Sequence, residues 1–147
     1  NSLLIRKDGY FEGSRTFRTI SATTINQVTK LYPKIFDSSF DAQSGGVVSK
    51  DNTTVEFSSN SIVVEASNTT YTGKVNVAIQ PIDPSVDDLS TLMPGDLSGK
   101  SLENTIDILT TYGMVNVEMQ GENGEKLQIK DGNTATLTQK LDQICIK

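Results

Sequence analysis

Residues 114–138 read MVNVEMQGENGEKLQIKDGNTATLT, and this stretch decides the fold. Apolar and polar residues alternate on either side of two turn sequences, Asn123-Gly124 and Asp131-Gly132. A period of two places one face of a strand on a core and the other in water, as in antiparallel sheets. Asn-Gly favours a type I′ hairpin turn, because both central residues of that turn need a positive φ. The stretch therefore predicts a three-stranded antiparallel meander.

The same alternation occurs further upstream in the chain. Val55 and Phe57 share one face of a predicted strand, with Thr54 and Glu56 on the other. A second stretch, residues 73–80, repeats the pattern with apolar residues on one face: Val75, Val77 and Ile79. Strands of this kind bury one face against a second sheet. We therefore predict an all-β fold, an antiparallel Greek-key-like β-sandwich.

One short helix is predicted near residue 89. Ser85 followed by Asp88 resembles a capping box, which satisfies free N–H groups at the start of a helix. Pro94 ends the helix, because proline lacks an N–H group and disfavours helical geometry in the residue before it. The apolar residues between them fall at helical spacing: Val86, Leu89 and Met93.

The composition argues against several classes of function. The chain has 147 residues, 13 Lys and Arg, 18 Asp and Glu, one Cys and no His, with a formal net charge of −5. Without histidine there is no Ser-His-Asp triad and no His-ligated zinc. A single Cys forms no internal disulfide. An acidic chain without a basic block is a poor match for nucleic acid, because phosphate binding needs clustered Lys and Arg.

A domain boundary is predicted near residue 36. Residues 37–39 are polar, and residues 41–46 are mostly polar and end in two glycines, as turns and linkers usually do. We assign residues 1–36 to the tail strands of a second small β-sandwich and residues 37–147 to the main sandwich. The apolar start of the chain, residues 3–5, looks like a strand already in progress. Because an incomplete sheet exposes edge N–H and C=O groups, we expect edge-strand pairing with another chain.

Several motifs resemble a known family. Residues 7–11 (KDGYF) and 14–16 (SRT) resemble the final strands of carboxypeptidase-regulatory-like domains in large envelope proteins of Bacteroidetes-type bacteria. The following segments are similar to ZU5-like β-sandwiches and to parts of cartilage intermediate layer proteins. They read GGVV at 45–48, TVEF at 54–57, YTGKV at 71–75, IDP at 82–84, MPGDLSG at 93–99 and YGMVNVE at 112–118.

The resemblance implies a β-sandwich that serves as a building block of surface proteins, without established catalysis. It implies an extracellular or cell-envelope location, at the outer surface or in the periplasm. Its partners would be neighbouring domains or other envelope proteins. The resemblance also implies that the ZU5-like module is incomplete at its C-terminal end, because residues 37–147 contain no His-Phe-Ser segment. The self-cleavage of some ZU5-like relatives depends on that segment, so it is not carried over to a chain without histidine.

Other features of the sequence agree with these expectations. No apolar run approaches the roughly 18 residues that a membrane span requires, so we expect no direct membrane span. Tyr10 and Phe11, beside Gly9, would pack against a neighbouring domain or form an exposed patch.

An acidic cluster is the candidate metal site. Its members are Asp83, Asp87, Asp88 and Asp96. Loop carboxylates are suitable ligands for calcium, which takes six to eight oxygens. The spacing matches no EF-hand, and each residue also has a structural explanation as a turn former, a helix-dipole partner or a turn cap. We expect no cofactor, with calcium as the alternative.

The expected function is a non-catalytic structural or adhesive module, and other classes remain as alternatives. The first is a calcium- or carbohydrate-binding module built around residues 83–97. The second is an accessory fragment of a larger surface enzyme. A glycosidase would need two carboxylates in a cleft, and the available acids include Glu103, Asp107 and Glu118, but no Trp platform accompanies them. Ser-Lys nucleophile pairs are formally available at Ser49-Lys50 and at Ser98 with Lys100.

Overall fold

The computed structural model of the chain describes residues 2–16, 24–85, 89–93, 98–108, 111 and 113–140. The described part of the chain is nearly all β, and its sheets are antiparallel. The prediction of an all-β, sandwich-like fold is therefore confirmed. Within the described part of the chain, no helix is long and apolar enough to cross a membrane.

The described chain contains the following elements in order. They are β1 (Ser2–Ile5), β2 (Gly13–Thr16), β3 (Ser38–Asp41), β4 (Gly46–Lys50), β5 (Thr53–Phe57), β6 (Ile62–Val64), β7 (Lys74–Ile82), α1 (Leu89–Leu92), β8 (Ser98–Lys100), β9 (Ile106–Ile108), β10 (Met114–Gln120), β11 (Lys126–Ile129) and β12 (Ala135–Gln139).

The chain forms two compact units. The first comprises Asn1–Lys34 and Ile82–Met114, and the second comprises Ile35–Pro81 and Val115–Lys147. The first unit's N-terminal segment therefore ends at Lys34, two residues before the predicted domain boundary at residue 36. The predicted 37–147 module, however, is interrupted, because residues 82–114 join the N-terminal segment. The assignment of these regions to carboxypeptidase-regulatory-like and ZU5-like domains stays a prediction.

Two sheets pack on one apolar core in the second unit. One sheet has five strands in the order β3-β7-β10-β11-β6, and the other has three in the order β12-β5-β4. The predicted inward faces of β5 and β7 are confirmed as buried core: Val55, Phe57, Val75, Val77 and Ile79. The rings of Phe40 and Phe57 stack within this core, with centroids 4.8 Å apart.

The hairpin between β10 and β11 differs from the predicted type I′ turn. The N–H group of Gly121 donates to the Glu125 carbonyl at 2.9 Å, and that of Gly124 donates to the Gly121 carbonyl at 3.2 Å. Gly124 has a φ of 88°, whereas Asn123 is not among the residues with positive φ. This is a three-residue loop, a type I turn followed by one left-handed residue. The Asn123 side chain donates instead to Glu125 Oε1 at 3.0 Å, and its backbone N–H donates to Oε2 at 3.0 Å.

The predicted meander is correct for its first two strands and wrong for the third. β12 pairs with β5 in the three-stranded sheet, in a register that places Leu137 opposite Val55. It does not pair with β11, because the free edge of β11 is already occupied by β6, with Leu127 opposite Val64. The turn at Gly132, whose φ is 84°, therefore carries the chain from one sheet to the other.

The first unit has a smaller core. Ile82, Leu92 and Met93 are buried together, and partly buried apolar residues pack against them: Tyr32, Leu89 and Met114. The predicted short helix is present as α1, with the Met93 N–H donating to the Leu89 carbonyl at 2.9 Å. Of the residues named in that prediction, Asp88 of the capping box, the apolar Val86 and the stop residue Pro94 lie outside the described residues. This shared core explains why residues 82–114 belong with the N-terminal segment.

Two short hairpin-like sheets complete the first unit. β1 pairs antiparallel with β2, and β8 pairs antiparallel with β9. Residues 24–36, predicted with the rest of 1–36 to be tail strands of a second sandwich, contain no named strand and a single isolated bridge, between Tyr10 and Pro33.

Candidate functional site

Asp83 lies directly after β7 and forms a tight turn. Its Oδ1 accepts hydrogen bonds from the backbone N–H of Ser85 at 2.8 Å and from Ser85 Oγ at 2.7 Å. The Ser85 hydroxyl and then the Ser85 backbone N–H lower the pKa of the Asp83 carboxyl below its ordinary value. This is the local turn that an Asp before a proline favours, so the structural explanation accounts for Asp83.

The other three members of the acidic cluster cannot be placed beside it. Asp87, Asp88 and Asp96 lie outside the described residues. Among the residues that are described, no group of three or more His, Cys, Asp or Glu could hold a metal ion. Calcium binding by the full cluster therefore stays a prediction, as does carbohydrate binding around residues 83–97.

If the Ser85 turn is the whole role of Asp83, calcium should leave the melting temperature of the chain unchanged. A ligand at about 100 times its Kd would add about 2.7 kcal/mol to the stability of the native state. Thermal unfolding in millimolar calcium and in excess chelator measures the difference. A rise of several degrees that disappears in the Asp83→Asn variant would contradict the structural explanation and establish a calcium site.

The geometry argues against a nucleophile pair at Ser49 and Lys50. The two residues are neighbours in β4, and successive side chains of a strand point to opposite faces. Ser49 Oγ lies 3.0 Å from Thr54 Oγ1 across the strand pair, and Lys50 Nζ lies 3.3 Å from Asp37 Oδ2. Each group therefore has a structural partner of its own.

The candidate carboxylates are distributed over different elements. Glu103 is exposed in the turn between β8 and β9, where its backbone N–H donates to Ser101 Oγ at 3.2 Å. Asp107 lies in β9, and Glu118 lies half-buried in β10. The first two belong to the first compact unit and Glu118 to the second.

Phe11 is part of the packing of the first unit and does not form an exposed patch. Its side chain is buried, and its backbone N–H donates to the Tyr32 carbonyl at 2.9 Å. The ammonium group of Lys34 lies 5.9 Å from the Phe11 ring centroid, and that of Lys7 lies 4.3 Å from the Tyr10 ring centroid. Such cation–π contacts hold basic side chains against aromatic faces.

Tyr71 is a structural anchor that was not predicted from the sequence. Its hydroxyl donates to the Lys74 carbonyl at 3.2 Å and accepts a hydrogen bond from the Glu122 backbone N–H at 3.0 Å. It thereby ties the segment before β7 to the hairpin between β10 and β11. Glu122 is 51 residues away in sequence, and both partners are backbone groups. No local pattern marks such a contact, so only the tertiary structure reveals it.

The fold and the described side chains define the class of this protein as an all-β protein with a sandwich-like architecture. No family model, no curated protein and no solved structure matches the chain. The resemblance to carboxypeptidase-regulatory-like and ZU5-like domains therefore stays a prediction.

Proposed function

We propose that this chain is a non-catalytic structural or adhesive module of a bacterial cell-envelope protein. The observation that carries the proposal is the packing of two sheets on one apolar core in the second unit. Cores of this kind are close-packed and resist deformation. A stiff block with free outer faces and loops is suited to spacing neighbouring domains or presenting a contact surface.

The turns of the second unit support the proposal because their own side chains hold them. Asp41 Oδ1 accepts hydrogen bonds from the backbone N–H groups of Gln43 and Ser44, at 3.1 and 3.0 Å, and from Ser44 Oγ at 3.1 Å. At the other turn, Glu125 accepts two hydrogen bonds from Asn123. Side-chain acceptors of this kind order the turn backbone, so these loops extend the stiff block.

The outer surface of the three-stranded sheet also supports the proposal. Glu56 and Ser49 are exposed on this face, and Thr54 is half-buried beside them. Elsewhere, Lys126 Nζ forms an ion pair with Glu65 Oε2 at 3.1 Å. Exposed ion pairs contribute little stability, so such polar groups remain available for contacts with solvent or with a partner.

Cell fractionation tests the location that the proposal requires. In the cell that produces this chain, an antibody raised against it should detect the protein in the envelope or extracellular fraction, with a cytoplasmic enzyme as the fractionation control. Recovery in the cytoplasmic fraction alone would overturn the proposal.

A replacement experiment then separates the two forms of the proposal. An unrelated β-sandwich of similar size takes the place of this chain in its parent polypeptide. Surface display of the parent should survive if the chain is a spacer, whereas adhesion should be lost if its own surface makes the contact. Loss of a catalytic turnover would contradict both forms.

A further inference from the structure

The edge formed by β12 is the least protected strand edge in the described second unit. β12 is the end strand of the order β12-β5-β4, and its sequence ATLTQ contains no charge and no proline. Natural sheets usually protect such edges with charges, proline or short strands. The other end strands follow this rule: β6 has three residues and bridges Thr70 through Val63, β3 ends at Asp41, and β4 ends at Lys50.

The backbone groups that face this open edge follow from the register. The N–H group of Lys140 donates to the Asn52 carbonyl at 2.9 Å, in line with the β12–β5 pairing. Antiparallel partners alternate between hydrogen-bonded and non-hydrogen-bonded pairs. The backbone N–H and C=O groups of Thr136 and Thr138 therefore bond to β5. Those of the alternate residues point away from β5, toward the open edge: Ala135, Leu137 and Gln139. No strand of the described chain pairs with that edge.

Leu137 marks the centre of this edge. It lies opposite Val55 and so extends from the core face of the sheet, yet 53% of its surface is exposed. Its neighbours in the register, Val55 and Ala135, are buried in or packed against the core. A strand added beside β12 would continue the sheet over this side chain and remove it from water.

We propose that β12 pairs antiparallel with β12 of a second copy of this chain, with Leu137 opposite Leu137 on a twofold axis. In this register Ala135 faces Gln139 of the second copy. The edge N–H and C=O groups of Ala135, Leu137 and Gln139 then all have hydrogen-bond partners in the second copy. Lys140 faces Thr134, so no charged residue opposes another across this stretch. The strand is thus complementary to itself, and the resulting contact is isologous and closed.

The self-complementary register favours a second copy over a strand from a different protein. The dimer would contain one continuous sheet in the order β4-β5-β12-β12-β5-β4. The inference rests on the proposed function as an interaction module, and it names the partner of that module.

Disulfide trapping tests the register directly, with Cys145→Ser as the background for two variants. Hydrogen-bonded antiparallel partners have Cα atoms about 5.5 Å apart, within the disulfide range of about 4.4–6.8 Å. Leu137→Cys should therefore form a linked dimer under mild oxidation. Thr136→Cys is the matched control, because Thr136 faces Thr138 of the second copy and its own counterpart lies beyond disulfide reach. Equal linking of both variants, or of neither, would overturn the register.

Sedimentation of the unmodified chain over a wide concentration range tests the dimer itself. We expect a monomer–dimer equilibrium that Leu137→Lys weakens by about tenfold or more, because like charges then meet on the axis. Val47→Lys is the control, since Val47 is 61% exposed on β4 at the opposite end of the same sheet. If the unmodified chain stays monomeric at all concentrations, the proposed dimer is wrong. The proposed function still stands in that case if cell fractionation recovers the protein with the envelope. Circular dichroism establishes whether each variant is folded. If Leu137→Lys does not fold, the comparison of Leu137→Cys with Thr136→Cys tests the dimer instead.

Discussion

Replacing Phe57 with alanine should lower the free energy of unfolding by about 3–5 kcal/mol, the usual loss for a buried phenylalanine. Phe57 is 4% exposed, and its ring stacks on that of Phe40 with an interplanar angle of 12°. The truncation removes apolar contacts and leaves a cavity between the two sheets. Urea denaturation followed by circular dichroism measures the change.

Phe36→Ala is the matched control for this variant. Phe36 lies in the same compact unit but is 37% exposed. We expect its truncation to cost about 1 kcal/mol or less, because surface substitutions away from a packed core have small effects. Equal losses for the two variants would contradict the assignment of Phe57 to the centre of the core.

Replacing Gly45 with alanine should cost about 3 kcal/mol, through backbone strain and a steric clash together. Gly45 has a φ of 73° and ends the turn between β3 and β4. A Cβ at this position would lie 2.5 Å from the Phe57 carbonyl oxygen and 2.8 Å from the Ser59 nitrogen. Both are backbone atoms, so the turn that joins the two sheets must shift.

Gly132→Ala separates the two contributions. Gly132 has a similar φ of 84°, but a Cβ there meets no described heavy atom within 4 Å. Its loss should be about 1 kcal/mol, the cost of the left-handed conformation for a residue with a side chain. The difference between the two variants in thermal or urea unfolding measures the clash alone. A loss for Gly132→Ala as large as that for Gly45→Ala would contradict this explanation.

The strands and their buried faces could be predicted from the sequence. Val75, Val77 and Ile79 recur at every second position of β7, and all three are buried in the core. Alternation is local information, because each side chain points to the face opposite that of its neighbour. The same holds for the turn at Asp83, where a short side chain bonds the backbone two residues further along the chain.

The choice of partner strand could not be predicted in this way. β12 has the alternation and the preceding Asp-Gly turn of a meander strand, yet it pairs with β5. The pairing depends on β6, which already occupies the edge of β11 and lies more than 60 residues earlier in the chain. Competition for an edge is a property of the whole sheet, so no window of sequence contains it.

The two segments of the first unit also differ in net charge. Residues 1–34 contain six Lys and Arg and two Asp and Glu, whereas residues 82–114 contain one and six. These oppositely charged segments form one compact unit. Net charge does not specify a fold, so this contrast could not have predicted that the two segments share a core in which Tyr32 packs with Ile82.

The sequence by itself determined the fold class, most of the strands and the side chains that each strand buries, because periodicity and turn residues act over a few neighbouring positions. Only the tertiary structure decided which sheet receives β12, which segments share a core, and which backbone groups remain at an open edge. Those outcomes depend on distant residues that compete for the same hydrogen bonds and the same buried space.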